Sequence, residues 1–335
     1  MPTWSGCARS SAPDVRVLVT GARGFVGGHL IAALRARGHD AVPADRAPYA
    51  GDHETLPLDV TDPLAVRGVV ELARPDAIAH LAAQAFVPAS LSDPEGTFDV
   101  NAHGTLHLLE SVRALADQGA PRPRVLVVSS GDVYGAQPRE TFPLRETTAP
   151  LPRSPYAASK IAAEALALAY ARAWGVDAVV TRAFNHIGPG QDERFAVVAF
   201  ALQIARVAAG GPPRVLVGNL DASRDFLDVR DVCDAYVLLL EGRGAAGEIY
   251  NVCSGVATTM REILRRLIEL ARVPVEVRDD PARMRPADVP VSVGDASKLR
   301  EATAWTPRIP LGAALRTVYE DARSRVAAET LKVTS

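Results

Sequence analysis

Cysteine is scarce in this chain. Cys7, Cys233 and Cys253 are odd in number and form no C-x-x-C pair, which argues against both a disulfide framework and a zinc site, so no metal is expected. Long apolar runs are also missing, none approaching the roughly 18 residues that cross a bilayer. Residues 1–14 lack the apolar stretch of a signal peptide and are expected to form a loose tail, with a reduced, cytoplasmic setting. Neither sign of charge prevails: 37 Lys plus Arg against 39 Asp plus Glu leave a formal net charge of −2, giving no reason to expect nucleic acid or an anionic membrane as partner. Rarest of all is lysine. Only Lys160, Lys298 and Lys332 occur, so Lys160 stands alone in the first 297 residues of a chain that otherwise uses arginine. Arginine cannot give up its proton and presents a wide planar fork, whereas lysine is a compact point charge. Position 160 is therefore expected to need an ammonium.

What is present is an alternation. Apolar runs at Val15–Thr20, Ala41–Ala44, Ala77–Leu81, Arg124–Ser129 and Ala178–Arg182 are expected strands, separated by helical stretches near Val26–Arg37, Pro63–Leu72, Gly96–Gln118 and Pro155–Trp174. After residue 185 turn-rich pieces interrupt a helix near Phe195–Val207. The sheet is expected to resume at Asp225–Leu227, with a helix at Asp231–Leu240 and the run I-Y-N-V at 249–252, and helices follow near Met260–Ala271 and Leu311–Val326. The fold class is α/β, a Rossmann-type doubly wound parallel sheet with a smaller, discontinuous α/β substrate lobe. Residues 15–185 plus about 225–253 are assigned to the dinucleotide lobe, and 186–224 plus 254–330 to the other.

The segment V-R-V-L-V-T-G-A-R-G-F-V-G-G-H-L (15–30) places Gly21, Gly24 and Gly27 directly after an apolar strand and at the opening of a helix. That context marks a dinucleotide loop: glycines let backbone approach a pyrophosphate, and the helix start offers unpaired N–H groups and a positive dipole end. Arg23, Phe25 and Val26 complete the loop. Asp45, 18 residues past Gly27, suits the ribose hydroxyls of NAD, while Arg46 beside it suits the 2′-phosphate of NADP, so NADH and NADPH both stay open. Asp59, followed by Val60, either accepts from an adenine amino group or caps a turn.

In S-P-Y-A-A-S-K (154–160), Tyr156 and Lys160 lie four apart and share a helix face. A neighbouring ammonium lowers the pKa of a phenol, which otherwise titrates too high for acid–base work at neutral pH. Ser129 and Ser130 end the strand beginning at Arg124, on the sheet edge where open α/β folds bind ligands. Ser130 is expected to hydrogen-bond the substrate oxygen that Tyr156 serves.

On these stretches, and on H-L-A-A-Q (80–84), V-N-A-H-G-T (100–105), S-S-G-D-V-Y-G (129–135) and R-A-F-N-H-I-G-P-G-Q (182–191), the chain resembles the extended short-chain dehydrogenase/reductases that act on nucleotide sugars, over about residues 15–325. The resemblance implies catalysis by Ser130, Tyr156 and Lys160, a cofactor lined by Leu81, Ala82 and Ala83, Gln84 on the substrate side, and Asn101 at a helix bend or a water in the proton path. It also implies a homodimer through a four-helix bundle formed by the helices near 96–118 and 155–174.

The arginines Arg224 and Arg230 in one loop, and Arg283 and Arg285 in D-P-A-R-M-R-P-A-D-V-P (280–290), have forks suited to phosphate oxygens, though Arg230 and Arg283 are equally readable as solvated surface charge. Asp288 binds ribose hydroxyls or caps a turn. The resemblance places Asn185, Arg224 and Arg285 on a nucleotide diphosphate, and V-G-N-L ahead of S-R-D-F is similar to the branch using GDP-sugars. The implied reaction is reduction of C4 of GDP-4-dehydro-6-deoxy-D-mannose to GDP-D-rhamnose. Alternatives are a GDP-mannose 4,6-dehydratase, a 4-epimerase and a catalytically inert nucleotide sensor. A dehydratase needs a carboxyl acid–base group where this chain has Asp132, one methylene shorter than the glutamate of those enzymes.

Overall fold

The computed structural model describes residues 14–46, 52–117, 119–284 and 289–334. The expected tail therefore lies outside the described residues, apart from Asp14. Seven strands form one sheet, parallel throughout: β1 (Arg16–Thr20), β2 (Asp40–Asp45), β3 (Leu56–Pro57), β4 (Ala77–His80), β5 (Arg124–Ser130), β6 (Ala178–Ala183) and β10 (Ile249–Val252). Their order is β10-β6-β5-β4-β1-β2-β3. The chain winds outward from β1 to β3, then restarts at β4 on the other side of β1. That reversal opens a crevice at the strand ends between β1 and β4.

Both faces of the sheet are covered, and β1 shows how. Val17 and Val19 point into a core shared with α1 (Phe25–Ala36) and α8 (Val229–Leu240), whereas Leu18 points into the opposite core with α2 (Pro63–Ala73), α5 (Gly104–Asp117) and α6 (Pro155–Trp174). A strand buried on both sides must be apolar throughout, hence V-L-V. Helix starts follow capping chemistry. Asp62 accepts from Leu64 and Ala65 N–H at the head of α2, and Ser154 accepts from Ala157 N–H ahead of Pro155 in α6. α6 ends at Gly175 in the left-handed region, φ 63°.

The expected single helix over 96–118 is broken. A short helix α4 (Pro94–Phe98), preceded by α3 (Val87–Ser92), passes through a π-helical turn at Asp99–His103 before α5 begins. The reason is Asn101. Its side chain accepts from Gln84 N–H (2.8 Å) and donates to Gln84 C=O (3.1 Å) and Ser159 Oγ (2.9 Å), and a π turn admits the extra residue this reach requires.

The second lobe holds β7 (Asn185–Ile187), β9 (Ser223–Asp228), β11 (Ala257–Thr259) and β13 (Val291–Ser292) in one sheet, and β8 (Arg214–Val217) paired with β12 (Glu276–Asp279) in another. Its core lies among α7 (Ala196–Ala208), α9 (Met260–Ala271) and α11 (Leu311–Thr334). The expectation that Asp225–Leu227 resumes the large sheet is overturned, because β9 pairs with β7, β11 and β13. The buried Asp225 carboxylate ties it there, accepting from Ser254 N–H and Oγ–H and from Gly255 and Gly294 N–H. The chain then returns: α8 and β10 rejoin the first lobe, and α10 (Ser297–Thr303) packs on both.

Candidate active site

The glycine loop is built by close approach. Gly21 has φ +68°, and a Cβ there would stand 2.7 Å from Ala82 N, so the Leu81–Ala82 backbone lies directly on it. A Cβ on Gly27 would meet Gly21 O at 2.4 Å. Gly24 caps α1 without any side-chain hydrogen bond, leaving the helix N–H groups open to a ligand at the crevice. An anionic group such as a pyrophosphate fits this cradle. Asp45, at the end of β2, accepts from Arg23 N–H (2.9 Å) and Arg46 N–H (2.7 Å), fastening the loop to the neighbouring strand. The Arg23 guanidinium is paired with Asp52, while Arg46 is exposed. Phe25 stacks on His186 at 6.0 Å, and Val26 is half-buried beside it in α1. Asp59 accepts from Thr61 N–H and Oγ–H, a turn role, and its carboxyl is held below the usual range by those bonds. Val60 is buried beneath Gly104 of α5.

The tyrosine stands by the end of β5, two strands along the sheet from the β1 that leads into this loop. Tyr156, in the first turn of α6, is buried and hydrogen-bonded to Ser130 at the end of β5. Burial pushes its phenol well above the ordinary value, the Asp132 charge adds to that, and the Ser130 bond opposes both. The sequence assigns the lowering of this pKa to Lys160; the structure shows a different balance. Lys160 turns its Nζ to Val128 O (2.9 Å), and burial lowers its own pKa to about 8 against the pull of Glu164. A phenol kept protonated is the state a proton donor needs. Ser130 Oγ also accepts from Asp132 N–H (3.1 Å), opening the short 3-10 turn 131–134 and leaving Asp132 exposed.

Behind the tyrosine is a polar layer that sequence reasoning largely missed. His80 is buried between Thr20 Oγ1 (2.9 Å) and Thr105 Oγ1 (3.2 Å). Thr105 spends its hydroxyl hydrogen on Asn101 O (2.7 Å) and so only accepts from the ring, which puts the imidazole proton on Nε2 and leaves Nδ1 to accept from Thr20. Thr20 Oγ1 in turn accepts from Ala82 N–H (3.2 Å). The Gln84 side chain is taken up by Thr97 Oγ1 (3.1 Å) and Phe86 N–H (2.6 Å), and Ala83 beside it is half-buried. The motifs H-L-A-A-Q and V-N-A-H-G-T carry these residues, but nothing in their spacing tells which side chains meet.

β7, whose His186 stacks on Phe25, presents exposed Asn185 next to β9, where half-buried Arg224 gives one N–H to Ser223 O (2.9 Å). Arg230 is forked onto Asp228 (2.8 and 2.7 Å), tying α8 to the end of β9, and Arg283 bonds Asp280 (3.2 Å), so both guanidiniums already hold carboxylate partners. Arg285 and Asp288 lie outside the described residues. Among the described residues no group of three or more His, Cys, Asp or Glu is placed to hold a metal ion, and no helix is long and apolar enough to cross a membrane.

Comparison with known proteins adds to this geometry. A family model described as GDP-mannose 4,6 dehydratase matches residues 18–318. The chain is 42% identical over 319 residues to GDP-6-deoxy-D-mannose reductase of Pseudomonas aeruginosa, covering 94% of this chain and 99% of that protein. A solved structure of RMD from Pseudomonas aeruginosa complexed with NADPH superposes with TM-score 0.82 at 41% identity, covering 93% of this chain and 99% of that one. The Thermus thermophilus UDP-glucose 4-epimerase in complex with NAD gives 0.79 at 34% identity, with 92% and 99% covered.

Proposed function

Because the chain belongs to the GDP-mannose 4,6 dehydratase family, we propose that it is an NAD(P)-dependent reductase that converts GDP-4-dehydro-6-deoxy-D-mannose to GDP-D-rhamnose. The observation carrying this reading is the Ser130–Tyr156 pair at the sheet edge, with Lys160 one turn further along α6, in a chain aligned along nearly its full length with a GDP-6-deoxy-D-mannose reductase.

Gly21, Gly24 and Gly27 at the head of α1 would hold the pyrophosphate of a dinucleotide, and Leu81–Ala83 would line its site. Bound there, a reduced nicotinamide supplies the hydride that C4 of the sugar accepts. Tyr156 gives its proton to O4 as the carbonyl becomes an alcohol, and its burial keeps that proton in place until then. Ser130 steadies the same oxygen. Lys160 would hold the nicotinamide-ribose hydroxyls. Asn185 and Arg224, joined by Arg285, take the GDP diphosphate. Asp45 and exposed Arg46 would hold the adenosine ribose, one suited to a free hydroxyl and the other to a phosphate, so both NADH and NADPH would serve.

Dehydration is the competing reading, favoured by the Asp132 carboxylate, whose charge reaches Tyr156. Its short side chain and exposure weigh against a proton shuttle between C5 and C6. The reaction leaves α5 and α6, packed side by side, free to meet their copies in a dimer, and a cytoplasmic setting fits a nucleotide-sugar substrate. Incubation with GDP-4-dehydro-6-deoxy-D-mannose and each reduced cofactor, with the product sugar identified by NMR, tests the proposal. GDP-D-rhamnose is the expected product; no consumption of the keto sugar refutes it.

A further inference from the structure

Tyr156, Lys160 and Glu164 follow one another at four-residue steps along one face of α6, and each engages one of the last three residues of β5. Tyr156 bonds Ser130, Lys160 Nζ bonds Val128 O at 2.9 Å, and Glu164 Oε1 accepts from Ser129 Oγ at 2.5 Å. The first two contacts belong to the catalytic proposal above; the third has no part in it. Glu164 is also forked by Arg182 of β6, with Nε to Oε1 at 3.0 Å and Nη2 to Oε2 at 2.7 Å. Glu164 and Arg182 are each only 3% exposed. Arg182 continues to Glu146 O (3.3 Å) and lies over the Tyr134 ring, whose hydroxyl bonds Asn251 of β10. Catalytic helix and three strands are thus locked through one carboxylate.

A buried ion pair rarely adds stability over an apolar replacement, so its placement beside the lysine asks for another reason. We propose that Glu164 is a positioning residue for Lys160: its carboxylate, clamped by Ser129 and Arg182, sets the register of α6 on β5 and supplies the negative charge that offsets both buried cations. The surroundings leave it this task. His80 of β4, held neutral, feels the Lys160 charge, and of the elements packed on α6, β6 contributes Arg182 and the 3-10 turn Asp132 and Tyr134, with Tyr156 on α6 itself. On the other elements packed against α6, Glu95 of α4 is exposed, Asp99 and His103 of the π turn pair with each other, and His107 of α5 bonds Val60 O. Glu110 of α5 is engaged with Arg113 and Tyr170, Asp117 closes that helix, Arg124 binds Asp177 at the opposite end of β5, and α3 carries no titratable group. Glu164 is the carboxylate that draws Lys160 toward its charged form.

The inference rests on Lys160 being catalytic, but its test does not require turnover. With only three lysines in the chain, full-length protein labelled with carbon-13 lysine gives three Cε resonances, the Lys160 signal being the one lost in Lys160→Met. Glu164→Gln removes the carboxylate that draws Lys160 toward its charged form, so the Lys160 titration midpoint should fall by at least about one pH unit. Arg182→Met leaves the carboxylate facing Lys160 alone, so the midpoint should rise by a similar amount, about one pH unit. The alkaline limit of NADPH binding, followed by cofactor fluorescence, should move the same way in each variant. Should Glu164→Gln fail to fold, Arg182→Met carries the test by itself. A Lys160 midpoint unmoved in the folded variants, or shifted the same way in both, overturns the proposal. A parent that reduces no keto sugar while these shifts appear sinks the reductase reading and leaves this one standing.

Discussion

His80 offers the sharpest link between the buried polar layer and stability. Its ring is fully enclosed, and its two hydrogen bonds demand the neutral form, because Thr105 only accepts and Thr20 donates. Burial, helped by the Lys160 charge, lowers its pKa from 6.5 to about 3. The folded pKa is depressed, so the unfolded chain binds the proton first and stability falls with pH between 6.5 and about 3. At about 1.4 kcal/mol per pH unit, lowering the pH from about 7.5 to about 4.5 removes about 2–3 kcal/mol through this one residue. Urea unfolding of the parent and of His80→Asn at both pH values isolates the contribution, since the carboxylates titrate in both proteins. The variant is expected to be less stable at neutral pH, through its lost bridge to Thr105, and to lose about 2–3 kcal/mol less than the parent on acidification. Equal losses in the two proteins would refute the assignment of a neutral, doubly bonded ring. Because Thr20 also holds Ala82 N–H, acid should loosen the Leu81–Gln84 loop of the cofactor crevice at the same time.

Tyr156→Phe should cut kcat at least ~100-fold while NADPH binding stays near the parent's, since the ring remains and only the proton donor goes; a near-normal rate would remove the tyrosine from the mechanism. Asp45→Ala should shift kcat/KM toward NADPH by removing a charge that repels the 2′-phosphate, and an unchanged ratio for the two cofactors would place Asp45 away from the ribose. Asp132→Asn should retain a large part of the reductase rate and bring the alkaline fall in kcat to lower pH, because the lost charge is one that raises the Tyr156 pKa. The parent should put no deuterium on C5 of GDP-mannose in heavy water, and deuterium there would make Asp132 a catalytic acid–base.

Local chemistry is what a sequence displays well, and here it displayed the glycine loop and the tyrosine–lysine step. An apolar strand, three glycines and a helix start are neighbours along the chain, and so are the cap Ser154, the first-turn Pro155, Tyr156 and Lys160. Each depends on backbone geometry within a few residues. The alternation of strands and helices was visible for the same reason, and so was a resumption of the sheet at 249–252, but its pairing with β6 was not. Arg285, assigned to the diphosphate by resemblance, and Asp288, read as a ribose ligand or a turn cap, both lie outside the described residues.

Tertiary structure decided what depends on side chains distant in sequence. The π turn at Asn101 follows from bonds to Gln84 and Ser159, and β9 belongs to the second sheet because Asp225 is held by Ser254, Gly255 and Gly294. No spacing rule pairs 164 with 182, or 80 with 105. Lys160 is the clearest case. Its identity was readable from composition, a lone ammonium among arginines, yet its charge balance is set by burial, by the Val128 carbonyl and by Glu164. Electrostatic energy depends on distance through space and on exclusion of water, and neither exists until the chain has folded.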